Sequence, residues 1–311
     1  MTEMPFVAVA VAAAPAPDTA DLLDALQAHA AAAGAKTGTG RTLGPGAVEL
    51  GLALEGAGPD LRELAKTLGV ALAKTLSKGV DVAVLPAEGR TKRLLICDMD
   101  STIIGQECLD ELADFAGLKA EVAAITEQAM RGELDFEGAL TTRVAMLKGL
   151  ALDTLQRCYA ERITLNPGAR TLVATMRSKG AQTLLVSGGF TFFTARVAAE
   201  AGFQSHQGNT LVDDGTCLTG EVGTPILGRE TKLEALELAA ARAGVSPGDA
   251  LALGDGANDL AMIRAAGLGL AYRAKPVVAA EAHAAIAHTD LATALYYQGY
   301  SADDFIVPAG G

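Results

Sequence analysis

Short apolar runs alternate along the chain with longer stretches whose apolar positions recur every three or four residues. The first run, FVAVAVAAA, reads as a strand, and residues 18–34 that follow read as a helix. Asp18 or Thr19 can cap that helix and Gly34 can end it. AVELGLALEG predicts a second strand, PDLRELAKTLGVALAKTLSKG a second helix and VDVAVLPA a further strand, with room for one more near 38–44. This β-α-β-α-β order over residues 5–86 predicts a small α+β module of ferredoxin-like type, set at residues 1–88. The polar, glycine-containing AEGRTK at 87–92 reads as a linker.

From residue 93 the pattern changes. RLLICDMD, TLLVSGG, ALALGDG and GLGLAY read as strands, and helical patterns stand between them. Apolar strands alternating with helices indicate a parallel sheet covered on both faces. The first strand is followed by a mostly helical block, residues 106–160, too long for a simple crossover. It predicts a separate cap inserted at about 105–165 of an α/β unit spanning 93–311. TCLTGEVG reads as part of a short hairpin.

Composition narrows the classes. Half of the 311 residues are hydrophobic and 20% are charged, enough apolar material for a sizeable core. A net charge of −12 argues against nucleic acid or an anionic membrane as partner, while a small anion can still bind at a local positive site. There is no uninterrupted apolar run of the roughly 20 residues that a membrane span requires. The N-terminus carries Glu3 and no basic region, and Pro15 and Pro17 break its apolar run, so it does not read as a signal peptide. Cys97, Cys108, Cys158 and Cys217 show no metal-like spacing and read as reduced thiols, which fits the cytoplasm.

Three strands end in polar groups that do not suit a core: Asp98-Met99-Asp100-Ser101-Thr102, Ser187-Gly188-Gly189 and Gly254-Asp255-Gly256-Ala257-Asn258-Asp259. Lys232 stands where a helix begins. Each alone is more often a turn, a helix cap or a solvated charge. Together they suit the rim where open parallel sheets bind ligands. Residues i and i+2 of an extended strand share a face, so Asp98 and Asp100 can point to one ligand. Asp255 adds a third acid, and such oxygen ligands suit Mg²⁺. Ser187, the amides of Gly188 and Gly189, and Lys232 suit phosphate oxygens. A cation site and a phosphate cradle on one rim imply phosphoryl transfer.

Those four motifs resemble the haloacid dehalogenase superfamily of phosphatases, and within it the branch acting on phosphoserine; the likeness runs over about residues 93–295. It implies a Rossmannoid parallel sheet with an inserted helical cap, preceded by a small ferredoxin-like or ACT-like domain. It implies that Asp98 is the nucleophile, Asp100 the general acid and base, and that Mg²⁺ is held by Asp98, the Asp100 backbone carbonyl and Asp255. Ser187, Gly188, Lys232 and Thr102 would bind the phosphoryl group, with Asn258 and Asp259 supporting metal and lysine. In the cap, the resemblance gives Glu107 to a substrate ammonium and Arg143 to a carboxylate, with Met130 and Phe136 closing over the ligand. From spacing alone, Glu107 and Arg143 read as solvated helix charges, and Met130 and Phe136 as packing. The implied reaction is Mg²⁺-dependent hydrolysis of O-phospho-L-serine to L-serine, the last step of serine biosynthesis. Phosphohomoserine or another small phosphate is the alternative substrate, and a non-catalytic sensor is a third reading that the intact acid and lysine set disfavours. For the N-terminal module the resemblance implies an amino-acid effector or a homodimer contact.

Overall fold

The computed structural model describes residues 4–54, 60–130, 135–228 and 230–308, without the side chains of 127–130. The chain begins with β1 (Phe6–Ala12), α1 (Thr19–Ala32), β2 (Lys36–Gly44), β3 (Ala47–Ala53), α2 (Leu61–Leu76) and β4 (Val80–Pro86). The strands form one sheet in the order β2-β3-β1-β4, with each neighbouring pair antiparallel. This is the ferredoxin-like arrangement, and β2 fills the place the sequence left for an extra strand. Its composition, KTGTGRTLG, is polar and glycine-rich, and its pairing with β3 is broken by two register shifts.

Alternation in β1 explains how this sheet sits. Ala8, Ala10 and Ala12 turn towards Leu22, Leu26, Leu68 and Leu72 of the two helices. Val7, Val9 and Val11 join the cluster that contains Leu295, Tyr296 and Tyr297 near the far end of the chain. Both faces of the sheet are therefore covered, one by its own helices and one by the larger unit. Asp81 of β4 secures this junction. Its buried carboxylate accepts bonds from the amides of Ala287, His288 and Thr289 and from the Thr289 hydroxyl. Glu49 of β3, also buried, pairs with Arg41 at 2.8 Å and with Arg90.

The larger unit starts with β5 (Leu94–Asp98). Helices α3 (Cys108–Phe115), α4 (Lys119–Met130), α5 (Phe136–Ala145) and α6 (Leu152–Arg162) then form the cap. The chain returns through α7 (Ala169–Ser178), β6 (Gln182–Phe190), α8 (Thr191–Ala201) and β7 (Ser205–Asn209). A hairpin of β8 (Leu211–Asp213) and β9 (Leu218–Val222) precedes α9 (Thr231–Ala243), β10 (Ala250–Gly254), α10 (Leu260–Ala265) and β11 (Leu268–Tyr272). α11 (Pro276–Glu281), β12 (Ala284–Ile286) and α12 (Thr293–Tyr297) complete the unit. Its sheet is parallel throughout, in the order β12-β11-β10-β5-β6-β7. Leu94, Ile96, Leu184 and Val186 pack on α9 and α10, whereas Leu95, Cys97 and Leu185 pack towards α7 and α8. Fully buried apolar strands are what a doubly covered parallel sheet requires. The three polar strand ends of the sequence, those of β5, β6 and β10, lie side by side at the carboxyl edge, with β5 in the middle.

Candidate active site

Strand β5 ends at Asp98, and the backbone then makes a tight irregular turn over Met99–Ile103. Asp100 stays extended, while Ser101 adopts a left-handed backbone with φ of 55°, rare for a residue with a Cβ. The turn is held by the Ser101 amide donating to the Gln106 carbonyl and by the Asn166 side chain donating to the Thr102 carbonyl. It brings Asp98, Asp100 and Thr102 to one place, though through a turn and not by the strand alternation the sequence suggested.

Lys232, in the first turn of α9, is buried between two carboxylates. Its Nζ lies 2.7 Å from Asp98 Oδ1 and 2.5 Å from Asp259 Oδ1. Burial alone would lower this ammonium, but Asp98 and Asp259 outweigh it and hold it above its ordinary value. Asp98 Oδ1 also accepts the Met99 amide at 2.8 Å, and Oδ2 has no hydrogen bond among the described residues. Burial, with Asp259 adding repulsion, pushes the Asp98 carboxyl up despite Lys232. Asp259 is fully engaged, because its Oδ2 accepts the amides of Asp255 and Gly256 at 3.1 and 3.0 Å. A Cβ on Gly254 would stand 2.4 Å from the Asp259 carboxyl, so only glycine lets that side chain fold under the loop.

Asp100 turns the other way. Its Oδ1 accepts the Cys108 amide at the start of α3, and its Oδ2 accepts the Ser187 hydroxyl at 3.0 Å. Burial raises its carboxyl, and these donors oppose the rise. The Gly189 amide donates to Ser187 Oγ at 2.8 Å, and a Cβ on Gly189 would sit 3.1 Å from Asp100 Oδ2. The glycine here is a matter of space for the neighbouring acid.

Oxygen atoms of Asp98, Asp255 and Asp259 lie within 4.8 Å of one another. Three carboxylates so close suit a hard cation. The Asp100 carboxylate is not part of this cluster. Thr102 points its hydroxyl to Asp255 at 3.4 Å, and burial raises the Asp255 carboxyl.

The cap supplies the remaining groups. Glu107 accepts the Ser101 hydroxyl at 2.7 Å, so the left-handed turn ties this acid to the rim. Burial first, then repulsion from Asp100, pushes Glu107 up to about 7. Arg143 is half-buried, bonds back to the Ala139 carbonyl of its own helix, and feels the charges of Asp110 and Glu107. Phe136, 41% exposed, extends its ring to within 3.3 Å of where a Gly188 Cβ would stand. Asn258 folds over its own loop, its Oδ1 in the space a Gly256 Cβ would take, and bonds to none of the acids or Lys232 among the described residues. The Met130 side chain lies outside the described residues. Asn166 and the Cys108 amide, which lie outside the motifs, also take part.

A parallel sheet whose carboxyl edge joins a buried lysine, an acid cluster and a serine–glycine turn, under a helical cap, is a centre suited to a cation and an anionic group. The profile of the haloacid dehalogenase-like hydrolase family matches residues 95–264, over half of the chain, and the chain belongs to that family. It is 46% identical over 229 residues to a phosphoserine phosphatase of Streptomyces coelicolor, a match that covers 73% of this chain and 55% of that protein. The chain thus spans about half of that relative. It is 49% identical over 199 residues to a phosphoserine phosphatase of Polaromonas sp., covering 62% of this chain and 84% of the relative. A family hydrolase from Salmonella enterica serovar Typhi has a similar structure with a TM-score of 0.80 at 28% identity, covering 94% and 98% of the two chains. That likeness includes the N-terminal sheet.

Proposed function

We propose that the chain is a phosphoserine phosphatase that hydrolyses O-phospho-L-serine through an aspartyl-phosphate. The observation that carries the chemistry is Asp98, buried beside Lys232, with one carboxylate oxygen engaged and the other not. Asp98 attacks the phosphorus while the bond to the seryl oxygen breaks. Asp100 gives that poor leaving group its proton. In the second step water attacks the phosphorus, Asp100 takes its proton, and phosphate leaves with Asp98 restored as carboxylate. The raised carboxyl of Asp100 suits the proton-bearing role. Lys232, Ser187 and the Gly188 amide hold the phosphoryl oxygens, and the Gly189 amide holds Ser187 Oγ. Mg²⁺, held by Asp98, Asp255 and the Asp100 backbone carbonyl, would supply charge neutralisation on the phosphoryl group. Thr102 and Asp259 orient this set, and Asn258 borders it.

Selection of phosphoserine rests on Glu107 for the ammonium and Arg143 for the carboxylate, with Phe136 and Met130 covering the ligand. The identity with the two relatives named for this substrate favours it over phosphohomoserine. We assign residues 1–88 to the regulatory or dimer-forming module and 93–311 to the phosphatase. Any dimer or effector contact of the module would use α1, α2 or the β2 edge, because its other face is packed on the phosphatase. Four unpaired cysteines suit a reducing cytoplasm. No helix of the described residues is long and apolar enough to cross a membrane.

Phosphate release from L- and D-phosphoserine, phosphohomoserine and glycerol phosphate, with Mg²⁺ and with EDTA, tests this reading. A Mg²⁺-dependent preference for L-phosphoserine is expected, and a preference for glycerol phosphate would discard Glu107 and Arg143 as selectors. Arg143→Ala is expected to raise KM for phosphoserine by about 10–100-fold, the worth of roughly 1.5–3 kcal/mol in charged hydrogen bonds. KM for p-nitrophenyl phosphate, which has no carboxylate, should stay nearly constant. Equal losses on both would remove Arg143 from this role.

Glu107 adds a pH dependence. Only its ionised form attracts an ammonium, and with a value of about 7 that form is lost as pH falls from 8 to 6. The ratio of kcat/KM for phosphoserine to that for p-nitrophenyl phosphate should therefore fall over this range. Each kcat/KM is expressed per fraction of phosphate dianion, which removes the titration of the two esters before the ratio is taken. Glu107→Gln should flatten the ratio at its low value, whereas a flat ratio in the unaltered enzyme would contradict the assignment.

A further inference from the structure

We infer that Asn209 is a positioning residue for phosphate binding, fixing the orientation of the Gly188–Gly189 peptide. The inference rests on the reading above, in which this turn holds the phosphoryl oxygens.

Strands β6 and β7 run in register up to Val186 opposite Gln207 and meet again at Phe190 opposite Asn209. Between these points, Ser187, Gly188 and Gly189 stand against Gly208 alone. The phosphate turn is thus an irregularity of three residues against one, released from the strand ladder on its β7 side. Bulges re-aim backbone at functional sites, and they leave ladder groups unpaired. Asn209 supplies the missing partner. It is 1% exposed, and its Nδ2 donates to the Gly188 carbonyl at 2.8 Å. The same side chain is locked to the loop before α9, donating to the Leu227 carbonyl at 3.2 Å and accepting the Leu227 amide at 2.7 Å. Its donor and acceptor ends are both used, so its orientation is fixed.

This matters because the peptide is planar and trans. With the Gly188 carbonyl held towards Asn209, the Gly189 N–H must point the opposite way, and there it meets Ser187 Oγ beside Asp100. A flip of this peptide would turn a carbonyl oxygen towards Ser187 Oγ and Asp100 and remove the amide that holds the Ser187 hydroxyl in place for the phosphoryl group. Glycine on both sides offers little resistance, since neither residue has a Cβ to restrict rotation. Gly208 permits the close packing, as a Cβ there would stand 3.1 Å from the Gly189 carbonyl oxygen. The Leu227 bonds tie the same side chain to the segment leading into Lys232. One amide therefore sets two parts of the phosphate cradle against each other.

The test compares the full-length enzyme with Asn209→Ala and Asn209→Asp. The aspartate variant keeps the size and can still accept the Leu227 amide, but when ionised it cannot donate to Gly188. Both are assayed as folded monodisperse protein on phosphoserine and p-nitrophenyl phosphate, with inorganic phosphate and L-serine as inhibitors. Losing one preorganised donor typically lowers the rate about 10²–10³-fold, and a fall of about that size in kcat/KM is expected equally on both substrates. The inhibition constant for phosphate should rise about tenfold or more, while that for L-serine, which lacks a phosphate, should change by less than about twofold. A merely structural residue would lower melting temperature and leave these constants unchanged in the folded fraction. A folded variant with wild-type kcat/KM and phosphate inhibition overturns the inference, and so does a loss confined to phosphoserine. If the unaltered enzyme releases no phosphate from either ester, the reading of the site falls and this inference with it. An active enzyme beside an unimpaired variant overturns this inference alone.

Discussion

Asp98→Asn is expected to stay folded and to hydrolyse phosphoserine at least about 10⁴-fold more slowly than the unaltered enzyme, the scale seen when a catalytic nucleophile is removed. The asparagine has nearly the same shape and can still accept the Met99 amide and Lys232. What it lacks is a carboxylate oxygen able to form the bond to phosphorus. Stability should not suffer, because the wild-type triad of Asp98, Asp259 and Lys232 buries two negative charges against one positive. Replacing Asp98 by a neutral residue leaves one of each sign, and burial already disfavours the Asp98 charge. Melting curves together with phosphate release provide the check. A folded variant retaining several per cent of activity would sink the assignment.

Lys232→Met acts on the same triad in the opposite direction. Methionine retains much of the apolar stem but leaves Asp98 and Asp259 buried without their cation. Breaking a buried ion pair in this way costs about 3–5 kcal/mol, and phosphatase activity should be lost as well. The pH dependence follows from the charges. In the unaltered protein the Lys232 value is raised, so its contribution is complete below the ordinary lysine range and declines only as pH rises through the higher folded value. In the variant, Asp98 loses the group that held its carboxyl down, and the folded state takes up a proton more readily than the unfolded chain. Stability relative to the unaltered protein should therefore recover as pH is lowered from 8 to 5. Urea midpoints at the two pH values measure this. A variant as stable as wild type at pH 8 would show that the triad carries no such burden.

Much of the rim was legible because each motif lies within a single strand-to-loop segment. Asp98 to Thr102, Ser187 to Gly189 and Gly254 to Asp259 each follow an apolar run whose type is plain. The FVAVAVA run likewise anticipated the first strand, though not that both of its faces would be packed. What the sequence concealed are bonds between distant segments. Asn209 reaches Gly188 and Leu227 across the sheet edge, and its strand, SHQGN, carries no apolar alternation to mark it. Asp81 stands in VDVAVLP at what reads as a polar position facing solvent. It is buried because the 287–289 turn, far along the chain, presents three amides to it. Glu107 and Arg143 look like ordinary helix charges until the left-handed turn at Ser101 draws one of them to the rim. Propensity disfavours that conformation for serine, and only the surrounding bonds impose it.

In the proposed reaction Asp98 takes the phosphoryl group from phosphoserine, a transfer that can be caught directly. Its most direct test is a rapid acid quench of the enzyme turning over phosphoserine labelled in the phosphate, with Mg²⁺ present, followed by peptide mapping. Transient label is expected on the peptide containing Asp98, located at that residue and absent from Asp98→Asn. Turnover without label on the enzyme, or label located at another residue, would contradict the transfer to Asp98.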